Sequence, residues 1–122
     1  MEPEITIYAI GSKMVEKDVH KALEQVPDFT KVVSEGPDRS IVSGAIKALS
    51  FVAKFVNPSP KMADGLIDLA NTMIKSRAEK NKGATMKVKV GGTVLEVTNA
   101  NRDQLIDLLD KAKEISQAAN KL

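Results

Sequence analysis

The stretch Ser40–Val56, SIVSGAIKALSFVAKFV, decides the fold, because so apolar a segment is a membrane anchor, a core helix or a docking surface according to how its polar residues are spaced. A spanning helix needs about 20 predominantly apolar residues. This run is shorter and carries Lys47 and Lys54, charges that are costly in hydrocarbon. Ser40, Ser43, Lys47, Ser50, Lys54 and Asn57 recur at alternating steps of three and four, which is the spacing of one narrow polar stripe on an α-helix. The pattern predicts a helix that is apolar over the rest of its circumference and needs neighbours on several sides. Asn57-Pro58-Ser59-Pro60 ends it, since each proline lacks an N–H and disfavours helix in the residue before it.

Beyond that break a second helix is expected from about Ser59 to Arg77, with Pro60 in its first turn. Met62, Ala63, Leu66, Ile67, Leu69, Ala70, Met73 and Ile74 fill one broad face, opposite Lys61, Asp64, Asp68, Asn71 and Lys75. The short connection predicts an antiparallel helical hairpin over about residues 38–79, with Gly44, Ala48 and Gly65 as points of close backbone approach.

The flanks read as β and α in turn. Glu4–Ile10, EITIYAI, is a strand; Gly11 ends it and Ser12 caps a helix reaching about Gln25, whose buried face is Val15, Val19, Ala22, Leu23 and Val26. Pro27 and Asp28 stop that helix before a second strand, Phe29–Ser34, giving a parallel βαβ unit. Further on, MKVKVGGTVLEVT holds two alternating runs joined by Gly91-Gly92, as a tight hairpin turn requires. In that register Val90 faces Thr93, Val88 faces Leu95 and Met86 faces Val97 on the core side, while Lys89 meets Val94 and Lys87 meets Glu96 on a wet side. A last helix follows, with Asn101 and Gln104 spaced as a capping box and Leu105, Leu108, Ala112, Ile115 and Ala119 along one seam. The fold class expected is α+β: one domain over residues 1–122 with a four-stranded sheet, an inserted helical hairpin and a C-terminal helix.

Composition sets the bounds on function. The chain has 122 residues, 43% hydrophobic and 28% charged, which suits one globular domain rather than a disordered chain. Aromatic residues are only Tyr8, Phe29, Phe51 and Phe55, so the core is aliphatic. With no cysteine there is no disulfide, thiolate nucleophile or zinc-cysteine site, which fits a cytoplasmic protein. The opening MEPEITIYAIGS lacks the basic start and long apolar core of a secretory signal. A net charge of +2 is too small to imply a nucleic-acid partner.

Groups that carry chemistry are sparse. His20 is the one histidine and shares its helix face with Glu16, Lys17 and Glu24, so it reads as solvent-exposed. Asp64 and Asp68, one turn apart, have no second carboxylate helix or histidine to complete a metal or acid/base site. Asp103, Asp107 and Asp110, with Lys111 and Lys113 among them, read as a solvated face. Gly11-Ser12-Lys13 lies between a strand and a helix but lacks the glycine spacing of a phosphate loop. The basic run Lys75–Gly83 complements a helix C-terminus and has no interleaved aromatics. No catalytic, cofactor-binding or metal-binding residue is therefore assigned.

The order of strand, helix, PDFTKVVSEGPD, a small-residue-rich apolar helical segment, a basic stop, then MKVKVGGTVLEVT and a final helix resembles the effector-associated constant component domains of bacterial conflict systems. The likeness spans nearly the whole chain and rests on element order; the tryptophan and arginine-rich wording of many members is absent. It implies a non-enzymatic, adaptor-like component that couples a sensor or protease to an effector, and no catalytic residues. With apolar helix surface plentiful, the expectation is an interaction module that binds a protein partner or itself through the helical hairpin, at Phe51, Phe55, Leu66 and Met73. A small-ligand-binding or enzymatic domain and a membrane-surface protein are the alternatives, and nucleic acid is disfavoured.

Overall fold

The computed structural model describes residues 2–11, 15–37, 48–76 and 85–120. In chain order they form β1 (Glu4–Ile10), α1 (Glu16–Glu24), β2 (Phe29–Pro37), β3 (Ala48–Phe55), α2 (Pro60–Ser76), β4 (Thr85–Val90), β5 (Thr93–Glu96), a short 3-10 turn (Val97–Asn99) and α3 (Arg102–Asn120). The α+β class stands, but the sheet has five strands rather than four, in the order β2-β3-β1-β4-β5, and every neighbouring pair is antiparallel.

The decisive correction falls on the opening segment. Ala48–Phe55 is a strand, not the second half of a helix; residues 38–47, the first half of that expected helix, lie outside the described residues. Leu49, Phe51, Ala53 and Phe55 alternate with Ser50, Val52 and Lys54, and the odd-numbered set is buried, as the period of two in a strand demands. No helical hairpin is formed over residues 48–56, and α2 packs instead against α1, α3 and the sheet. The new strand sits between β1 and β2, antiparallel to both, so these two run parallel without touching. The expected βαβ unit is therefore split, and β1-α1-β2-β3-α2-β4 takes the ferredoxin-like order β4-β1-β3-β2, with β5 added as an edge.

One face of this sheet makes the core. Ile5, Ile7 and Ala9 of β1, Phe51, Ala53 and Phe55 of β3, and Met86, Val88 and Val90 of β4 cluster with Val19 and Leu23 of α1, Met62, Leu66 and Met73 of α2, and Leu105, Leu109 and Ala112 of α3. Burial of a large aliphatic or aromatic side chain contributes about 1.5–3 kcal/mol, so Phe51 and Phe55, both at 0% exposure, anchor the β3 contribution. Phe29 leans on Phe55 with ring centroids 6.5 Å apart.

The local signals hold in detail. The β4–β5 register is Val90 to Thr93, Lys89 to Val94, Val88 to Leu95 and Lys87 to Glu96, as expected from the Gly91-Gly92 turn. The Met86–Val97 pair does not form, because the chain leaves the sheet at Glu96. Asn101 and Gln104 close a reciprocal capping box at 2.9 Å in each direction. At the start of α2 the Met62 N–H donates to Ser59 Oγ at 3.1 Å, and the Ser59 hydroxyl donates to the Asp28 carboxylate. Asp28 holds a left-handed φ of 70°, which ends the α1 connection. Helix α1 begins at Glu16 rather than after Ser12, a residue outside the described set, and Val15 precedes it at 60% exposure instead of joining the core. Ile115 is likewise 47% exposed rather than buried in the α3 seam.

Candidate functional site

The second face of the sheet is the molecule's unexplained surface. Strand register maps it residue by residue, because directly paired residues project to the same side. One row runs Lys31, Lys54 and Glu4 across β2, β3 and β1. The next runs Val33, Val52, Thr6, Lys89 and Val94 across all five strands. A third runs Ser50, Tyr8, Lys87 and Glu96. Among the described residues no helix packs over the first two rows: Val33 is 39% and Val94 53% exposed, and Thr6, Tyr8, Val52 and Lys54 are half-buried. At the far end of the face Ile10, Ala48 and Ser50 are buried, so the uncovered part extends from Glu4 to Tyr8 along β1.

The electrostatics of this face are one-sided. Lys31, Lys54, Lys87 and Lys89 outnumber Glu4 and Glu96, and none of the four lysines makes an ion pair among the described residues. Lys31 and Lys54 are paired directly across β2 and β3, a like-charge opposition that weakens a sheet. A solvated surface under no other constraint loses nothing by placing a threonine or glutamate there. A shallow groove of about 290 Å³ borders the face where Glu4, Thr6, Tyr8 and Lys89 meet Ala112 and Ile115 of α3.

The residues expected on a docking surface are elsewhere. Phe51, Phe55, Leu66 and Met73 are all at 0% exposure within the core, so a partner cannot reach them without unfolding the sheet–helix layer. The reason is the strand: its alternation turns both phenylalanines inward. Of this open face, Lys87, Lys89, Val94 and Glu96 were legible as a wet side, from the glycine-centred hairpin. Thr6 and Tyr8 were signalled by alternation in EITIYAI; Lys54 and Val52 were hidden by the helical reading.

Two further grooves hold the sparse polar chemistry. One, of about 700 Å³, is lined by Val15, Glu16, Lys17, His20, Lys21, Glu24 and Ser34. His20, read as solvent-exposed, is 29% exposed: its Nε2 meets Glu24 at 2.9 Å, and its ring stands edge-on to Phe51 with centroids 6.2 Å apart. Ser34 donates to the Glu16 carboxylate, not to the imidazole. The other, of about 450 Å³, contains Asp64 and Asp68 beside Lys61, Gln25 and Thr72. Asp64 is exposed and pairs with Arg102 at 3.2 Å, so the two carboxylates are ordinary helix-surface charges. Among the described residues no three histidine or acidic side chains converge as metal ligands.

Asp103, Asp107 and Asp110 are exposed, as a solvated helix face requires. Lys13 and residues 77–83 of the basic run lie outside the described residues. No described helix is long and apolar enough to cross a membrane. No family model, curated protein or solved structure matches the chain.

Proposed function

We propose that this chain is a non-catalytic, cytoplasmic protein-interaction module of the adaptor kind, which engages its partner through the uncovered face of the sheet. The observation that carries the reading is the one-sided architecture. All three described helices bury their apolar residues against one sheet face, while the other presents Val33, Val52 and Val94 among lysines in positions fixed by strand register. Sheet faces with apolar side chains are normally covered by another layer, and here a partner would supply it. The sequence resemblance to effector-associated constant component domains, drawn with a helix where β3 stands, would put the partner in a bacterial conflict or signalling system.

The test is partner recovery with charged substitutions on each side. Val33→Glu combined with Val94→Glu is expected to abolish recovery of the partner with far-UV circular dichroism unchanged. Asp107→Lys, on the exposed side of α3, is expected to leave it intact. Retention by the sheet-face variant, or loss by the α3 variant alone, overturns the proposal.

A further inference from the structure

From the charge and direction of the apolar row on the uncovered sheet face, we infer that its occupant is an acidic amphipathic helix of a partner protein, laid across the strands. The inference rests on the docking role proposed above and specifies the chemistry of the partner. Three observations carry it.

The first is direction. Val33, Val52, Thr6, Lys89 and Val94 stand side by side on five successive strands, so the row runs perpendicular to the chain direction. At about 4.8 Å per strand it is about 19 Å long. An α-helix rising about 1.5 Å per residue covers that length in about 13 residues, with apolar positions recurring every three to four. An extended segment laid on a sheet face would leave its own N–H and C=O groups without partners, whereas a helix satisfies them internally.

The second is the state of the edges. β2 has two register irregularities, between Phe29 and Lys31 and between Ser34 and Gly36, and β5 is only four residues long. Bulges and short strands are how sheets discourage a further strand from pairing. Among the described residues the face, not the edge, is therefore the surface left open.

The third is charge. Lys31 and Lys54, with Glu4 beside them, lie on one side of the row, Lys87 opposite Glu96 on the other, and Lys89 within it, four cations against two carboxylates. Carboxylates on both flanks of a partner's apolar stripe would meet cations on both sides, and the direct opposition of Lys31 and Lys54 would be relieved by binding. A second copy docking face to face brings two cationic surfaces together and is disfavoured. Single-stranded nucleic acid stacks successive bases on aromatic rings, and Tyr8 is the one aromatic side chain on this face.

The experiment titrates the isotopically labelled protein with four probes, followed by amide chemical shifts. These are a synthetic amphipathic helix with glutamates flanking a leucine stripe, the same peptide with lysines for glutamates, an oligo-dT 20-mer, and phosphatidylserine vesicles. The glutamate peptide is expected to bind at least tenfold more tightly than any other probe, more weakly as salt rises, with shifts centred on Thr6, Tyr8, Val52 and Lys89. Lys54→Glu combined with Lys89→Glu is expected to reverse the preference between the two peptides. Equal binding of both peptides, or tighter binding of oligo-dT or vesicles with shifts on the same face, overturns the acidic helix while leaving the face as a docking surface. Shifts confined to the helix layer overturn both.

Discussion

Lys31 and Lys54 face each other directly across β2 and β3 on the uncovered side of the sheet. Like charges in that position destabilise a sheet, whereas opposite charges contribute about 0.2–1 kcal/mol. Lys31→Glu is therefore expected to stabilise the fold by an amount in that range, read as a higher urea midpoint of unfolding. The gain should shrink in 1 M salt, where the Debye length falls to about 3 Å. The same substitution should weaken partner binding, so stability and function move in opposite directions. A lower midpoint would show that the two ammonium groups do not feel each other.

Phe51 and Val52 separate the strand from the helix expected of this segment. Phe51→Ala empties a fully buried site and should cost about 3–5 kcal/mol. Val52→Thr changes a half-exposed neighbour on the open face and should cost about 0.5 kcal/mol or less. Denaturant unfolding of both variants checks the alternation; equal losses would contradict it.

Gly65 lies where α2 passes the end of α1. A Cβ there would sit 3.0 Å from Val26 Cγ1 and 3.1 Å from Pro27 Cδ. Alanine is favoured over glycine within a helix by about 1 kcal/mol, but the proline ring cannot rotate aside and Val26 is buried. Overpacking of this kind costs about 1–3 kcal/mol. Gly65→Ala is expected to lower stability by about 1 kcal/mol net, and a thermal midpoint above that of the parent would refute the contact.

The capping box makes a separable contribution. Asn101→Ala removes the acceptor that holds the Gln104 N–H at 2.9 Å and should destabilise the protein by about 1 kcal/mol. Hydrogen exchange should quicken most in the first turn of α3. Uniform exchange along the helix would mean that its start is held by packing instead.

What the sequence disclosed divides by the range of the signal. The Gly91-Gly92 register and the Asn101–Gln104 box were legible because each is closed within a few residues. The α2 face was legible because its period is sustained from Met62 to Ile74. The β3 strand was not, for a reason specific to its spacing. Ser50 and Lys54, like Phe51 and Phe55, are four apart, a multiple of two that also places residues on one side of a helix. The serines upstream, at 40 and 43, extended the helical pattern into a segment whose remainder is strand. Only the tighter alternation of Leu49, Phe51, Ala53 and Phe55 against Ser50, Val52 and Lys54 distinguishes the two. That one misreading removed a strand from the interior of the sheet, turned a split βαβ unit into an adjacent one, and set the expected docking surface on residues that are core.

The most direct measurement is site-specific photo-crosslinking in living cells. A benzophenone side chain is placed in turn at Tyr8, on the uncovered face, and at Asp107, on the exposed side of α3. The account expects a discrete adduct from the Tyr8 site alone, lost when Lys54 and Lys89 are both changed to Glu and retained when Asp64 is changed to Asn. An adduct from the Asp107 site alone, or a Tyr8 adduct indifferent to the lysine reversals, would contradict it.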